Sequence, residues 1–158
     1  MITPLVLQND IYLYFETIRQ LRAKSVLDIG MTLKRCGAIC RQVADSSIDP
    51  SVFLCGIDLD PETTVPIYRS IYQEILTQEE LMEKRSVVKV YELAVLLGLP
   101  RDVLMNKALI SFLKKNTECL LTDHEADRYL LPSFSQKKIK TITLDNSQYY
   151  LIKGKSDP

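Results

Sequence analysis

The sequence has a single histidine, His124, which leaves too few imidazoles for a centre built from several histidines. Its four cysteines, Cys36, Cys40, Cys55 and Cys119, form no Cys-x-x-Cys pair. Three of them fall in apolar periodic segments, where free thiols pack as small hydrophobes. A chain of 158 residues builds a core without disulfides, and unpaired thiols suit the cytoplasm. Lysine plus arginine number 20 and aspartate plus glutamate 20. No global field therefore draws the chain to nucleic acid or an anionic membrane. No apolar run approaches the roughly 18 residues that span a bilayer. Met1-Ile2-Thr3-Pro4-Leu5 lacks the basic-then-apolar layout of a secretory signal. The nicotinamide fingerprint GxGxxG is missing, since Gly30, Thr32 and Arg35 hold its positions. A P-loop is missing too: Gly30 and Lys34 lack the second glycine and the Lys-Ser/Thr pair.

The residues present read as one α/β domain over 1–158: an N-terminal helix (10–24), a core (25–122) and a C-terminal hairpin (138–153). Asn9 or Asp10 can cap a helix carrying Ile11, Phe15, Ile18 and Leu21 at helical spacing. Ser25–Ile29 is a short buried strand stopped by Gly30, and a helix follows over 34–45 with Ala38, Ile39, Val43 and Ala44 inward. Val52–Leu59 is a second, almost wholly apolar strand, as parallel strands covered on both faces require. From Ile67 to Lys84 the helical period of Ile67, Ile71 and Ile75 competes with the strand preference of Tyr and Ile. An extended piece near Tyr72–Leu76 and a helix over Gln78–Lys84 are expected. Tyr91–Leu97 is a third strand, Pro100 opens a helix reaching about Lys115, and Thr117–Thr122 is a fourth strand. Ile139–Leu144 and Gln148–Ile152 flank Asp145-Asn146-Ser147 as a hairpin. The order predicts a Rossmann-like, doubly wound, mainly parallel sheet with an antiparallel end.

Such sheets bind ligands at the carboxyl ends of their strands, at the topological switch point. The first strand end offers Asp28, Gly30, Met31 and Thr32; the second, Asp58 and Leu59; the third, Leu97 and Gly98. A carboxylate at Asp58 can accept both hydroxyls of a ribose, and glycine at 98 lets a flat ring lie on the backbone. Asp58-Leu59-Asp60-Pro61 is equally an ordinary turn opener.

Val26-Leu27-Asp28-Ile29-Gly30 resembles the first motif of class I S-adenosylmethionine-dependent methyltransferases, and Cys55-Gly56-Ile57-Asp58 resembles their second-strand motif with its ribose-binding acid. Tyr91–Leu96 is similar to the strand before their catalytic loop. A narrower similarity, to small bacterial members, runs through Arg35, Gly37, Arg41 and the segment Tyr68–Ile75. The resemblance covers roughly Ile11 to Lys153 in element order. It implies S-adenosylmethionine as cofactor, held by Asp28, Gly30, Met31, Thr32, Asp58, Leu59, Leu97 and Gly98. The Leu76–Thr77 and Leu97–Gly98 regions would face adenine and substrate.

The chain departs from that pattern where the family has three glycines: Gly30 is kept, while Thr32 and Lys34 replace the other two. A side chain at the second position intrudes on the cofactor's path, and Lys34 adds positive charge beside a sulfonium. After the third strand, Leu97-Gly98-Leu99-Pro100-Arg101-Asp102 offers no general base beyond Asp102. Three functions stay open, each with an unspecified acceptor or partner, a second copy included: a methyltransferase with a divergent loop, a binding or structural module that has lost catalysis, and a different nucleotide-binding domain using the same strand ends. Cys36 and Cys40 read as core thiols, Asp123-His124-Glu125 as a solvated loop, and Lys137, Lys138 and Lys140 as a soluble face.

Overall fold

The computed structural model describes residues 4–42, 48–60 and 68–153. In chain order these form α1 (Pro4–Leu21), β1 (Ser25–Ile29), α2 (Cys36–Gln42), β2 (Phe53–Asp58), α3 (Tyr68–Ile71), β3 (Glu74–Thr77) and α4 (Gln78–Met82). Then come β4 (Tyr91–Leu96), α5 (Arg101–Leu104), α6 (Lys107–Asn116), β5 (Thr117–Asp123), α7 (Ala126–Tyr129), β6 (Ile139–Leu144) and β7 (Ser147–Lys153). One seven-stranded sheet runs in the order β3-β2-β1-β4-β5-β7-β6. β1 to β5 are parallel neighbours; β7 enters antiparallel beside β5 and pairs with β6.

Period-two alternation along the buried strands feeds two cores. Val26, Leu54, Leu93 and Val95 pack with Leu13, Tyr14 and Ile18 of α1 and Ala38 and Cys40 of α2. Leu27, Ile29, Cys55, Ile57 and Leu96 point the other way, against Leu81 of α4, Leu109 and Leu113 of α6 and Ala126 of α7. Every residue of β1 is buried, which explains its apolar reading apart from Ser25 and Asp28.

Several boundaries differ from the sequence expectation. The first helix starts at Pro4 rather than 10 and stops at Leu21 rather than 24. Arg22 turns left-handed (φ 51). The amides of Arg22 and Ala23 then bond the carbonyls of Arg19 and Ile18, a Schellman closure. The helix expected from 34 begins at Cys36, because Arg35 at φ 59 cannot belong to it. The single helix expected after Pro100 is two, α5 and α6, divided where the Asn106 side chain accepts from the Leu109 amide at 3.0 Å. Tyr72–Leu76 and Gln78–Lys84 resolve as expected into a short strand and a helix, each within about two residues. The helix is opened by a Thr77–Glu80 capping box. Val43, Ala44, Pro61 and Ile67 lie outside the described residues.

Candidate functional site

β1 has β2 on one side and β4 on the other, so the chain reverses its direction of winding at the β1/β4 boundary. The ends of these two strands are where an open parallel sheet forms its cleft. Alternation puts Asp28 on the same face as Val26, toward α1 and α2. There its Oδ2 accepts hydrogen bonds from Tyr14 of α1 at 3.2 Å and from Tyr72, just past α3, at 2.6 Å. Burial pushes the Asp28 carboxyl up to about 6, while the Tyr72 and Tyr14 hydroxyls pull it back. Both phenols are raised well above their usual range, first by burial and then by the Asp28 charge. The trio is a carboxyl group held by two phenol donors, both kept neutral by burial and the Asp28 charge.

Gly37 of α2 makes room for this trio. A Cβ on it would overlap the Tyr72 hydroxyl and stand 2.9 Å from both Asp28 Oδ2 and the Tyr14 hydroxyl. Gly30, at φ 71, turns the chain out of β1 and donates its amide to Ile57 of β2 at 3.0 Å. Leu33 then folds back so that its Cδ1 would lie 2.7 Å from a Cβ on Gly30, with Leu99 Cδ2 at 2.9 Å on the other side. Met31 is buried with its sulfur over Gly56 of β2, and Thr32 is half-buried.

At the next strand end Gly98 (φ 70) donates its amide to Asp123 Oδ2 at 2.8 Å. The methylenes of Lys34 lie across Gly98, Cε 2.7 Å and Cγ 3.1 Å from where its Cβ would be. The flat surface expected at this glycine is thus covered by the protein's own side chain. Leu97 is buried beside it. Asp58 is buried at the end of β2, and its Oδ1 accepts the Asp60 amide at 3.0 Å, the turn-opening arrangement its sequence also allowed. Leu59 is half-buried against the α4 side.

Asp28, Gly30, Lys34, Leu97 and their neighbours enclose a cavity of only about 10 Å³. One water needs roughly that much, whereas ligand pockets run to about 300–1,000 Å³. A hollow of about 410 Å³ lies instead outside the sheet, between α6 and α7, lined by Lys107, Lys114, Arg128 and Tyr129 among others.

The remaining candidates sort quickly. Cys36 and Cys40 are buried, and burial pushes the Cys40 thiol up to about 12 and that of Cys36 higher still, so both are inert packing groups. Among the described residues no group of three potential ligands could hold a metal. His124 and Glu125 are exposed and paired at 3.0 Å, as a solvated loop should be. Asp123 departs from that reading: it closes β5 and fixes Gly98, and burial raises its carboxyl. Asp102 is exposed on α5. The sequence reading missed Tyr14 and named Gly37 and Tyr72 only within a family resemblance, with no role at this site. Of these only Gly37, a glycine inside a helix where it costs about 1 kcal/mol, carried a local signal.

The sheet order, the parallel core and the antiparallel end define the class I methyltransferase-like fold. A Staphylococcus aureus protein provisionally assigned as a caffeoyl-CoA O-methyltransferase shares it at 13% identity, with a TM-score of 0.62 over 97% of this chain and 85% of that one. A Klebsiella pneumoniae protein provisionally assigned as an O-methyltransferase gives 0.63 at 10% identity, over 97% and 81%. The methyltransferase domain of bacterial CtHen1 gives 0.56 at 13% identity, over 92% and 98%. No protein-family profile and no curated protein matches the sequence. Among the described residues no helix is long and apolar enough to cross a membrane.

That fold implies S-adenosylmethionine, and the residues at the cleft do not fit it. Lys34, Leu33, Tyr14 and Tyr72 fill the space above Asp28, Gly30 and Gly98, and two loop positions that need glycine carry side chains.

Proposed function

We propose that this chain is a methyltransferase-fold protein that does not transfer methyl groups and serves as a binding or structural module. The closed β1/β4 end of the cleft carries this reading: about 10 Å³ remains among Asp28, Gly30, Lys34 and Leu97, against roughly 300–1,000 Å³ for a ligand pocket. The residues that close it do so by specific contacts, not by loose collapse. Asp28 has its Oδ2 taken up by two phenols, and Gly37 is shaped to let them reach it. The thiols of this chain, free among the described residues, support a reducing compartment such as the cytoplasm.

The alternative is an S-adenosylmethionine-dependent methyltransferase with a divergent loop. One observation favours it: Asp28, Gly30, Asp58 and Gly98 all stand at the strand ends where the resemblance puts a cofactor's contacts. Titration calorimetry and thermal shift with millimolar S-adenosylmethionine and S-adenosylhomocysteine separate the two. The module reading expects neither heat nor shift; saturable micromolar binding by the unmodified chain would overturn it.

A further inference from the structure

We infer that the cleft contains a site for a primary alkylammonium, built around Asp10, and that the ammonium of Lys34 is its resident ligand. This rests on the closed-cleft reading and adds what closes it. Asp10 lies on α1 with its side chain 5% exposed. Its Oδ1 accepts the Tyr149 hydroxyl of β7 at 2.6 Å. Its Oδ2 accepts no hydrogen bond among the described residues, and the cation facing it is Lys34 Nζ at 3.3 Å. A buried carboxylate oxygen without a hydrogen bond is costly unless a cation pairs with it.

The rest of the lysine is held as a ligand would be. Its methylenes lie flat on Gly98, whose amide is fixed by Asp123, and the Lys34 side chain is 23% exposed. Apolar contact takes the stem and charge takes the head, with Gly98 as the floor, where φ 70 disfavours a side chain and Lys34 Cε lies 2.7 Å from where a Cβ would be. The site therefore recognises an unbranched chain of about three carbons ending in a primary ammonium. The family's sulfonium would meet this ammonium as a like charge, so an external cation enters only when Lys34 leaves.

Chemical rescue tests the inference. Lys34→Ala removes three methylenes and the ammonium, and n-propylammonium is that fragment. The expected result is a Tm loss of several degrees in Lys34→Ala, reversed saturably by millimolar propylammonium chloride and unmoved by 1-propanol or matched sodium chloride. The wild type should not respond. Lys34→Met keeps the stem and loses the charge; it should lose Tm and show no rescue, since the space is full. Adding Asp10→Asn to Lys34→Ala should abolish rescue. If Lys34→Ala does not fold alone, refolding in propylammonium but not propanol supports the site. Equal rescue by propanol, no rescue in either format, or a Lys34→Met protein as stable as wild type overturns it. Cofactor binding by the wild type would defeat the closed-cleft reading, whereas failed rescue with no cofactor binding defeats only the ammonium site.

Discussion

Asp28 makes the stability of this protein depend on pH in a way that one substitution should erase. Its carboxyl is raised from 3.8 to about 6, chiefly by burial. The native state therefore holds the proton more tightly than the unfolded chain. Stability from this group is fully present below about pH 4, falls as pH rises from there to about 6, and is flat beyond. At about 1.36 kcal/mol per pH unit, the ionised carboxylate costs the fold about 3 kcal/mol at neutral pH. Asp28→Asn removes the charge without removing the contact. Both phenols bond the same oxygen, Oδ2, so an amide oxygen placed there can accept both. The variant should be more stable than wild type at pH 7.5 by up to about 3 kcal/mol, which is about 6–12 °C in Tm for a chain of this size. The assay is differential: thermal unfolding of both proteins from pH 4 to 8 in one buffer series, so that every other titrating group cancels. The gap should be near zero at pH 4, open through pH 5 and 6, and stay constant above. A gap independent of pH, or an Asn variant less stable at every pH, would refute the assignment.

The same trio yields two further outcomes. Gly37→Ala puts a methyl against both phenol oxygens and Asp28 Oδ2, so at least one hydrogen bond must break; urea unfolding should register a loss of about 2–4 kcal/mol, and a neutral result would mean that α2 shifts freely. Tyr72→Phe removes the 2.6 Å donor to the carboxylate and should cost about 1.5–3 kcal/mol at pH 7.5. Because that bond favours the ionised form, the loss should shrink toward pH 4; an equal loss at both pH values would indicate packing alone.

Most of the fold was legible because each buried strand is a near-continuous apolar run, which local pattern reports directly. Helix ends were less so. Arg22 and Arg35 take left-handed conformations usually signalled by glycine or asparagine, and nothing in an arginine announces them. Asp28 was legible as a position, from the strand and glycine around it. Its partners were not, since Tyr14 and Tyr72 arrive from α1 and from beyond α3, and no spacing rule connects positions 14 and 44 residues away. Lys34 was read as a charge in the wrong place. Its meaning depended on Asp10, 24 residues earlier, which periodicity presented only as a helix cap.

That dependence bears on how such a cleft comes to be closed. Losing the loop glycines accounts for Thr32 and Lys34 but for neither tyrosine. The tyrosines take the acid at β1, and Lys34 takes the floor at β4, each beside a glycine: Gly37 under the phenols and Gly98, turned at φ 70, under the lysine stem. The two closures stand at neighbouring strand ends and both lean on α1, through Tyr14 and Asp10, but they use different residues. Restoring glycine at 32 and 34 would clear the β4 side and leave Asp28 bonded to both phenols, while freeing Asp28 would leave Lys34 on Gly98. A loop that had only drifted would open with one change; this cleft needs changes at both strand ends. That is the pattern expected when the interior of a binding fold has been rebuilt as core: Asp28 is bonded to both phenols, while Asp10 Oδ2 and Asp123 Oδ1 accept no hydrogen bond among the described residues and Asp10 Oδ2 faces the Lys34 cation.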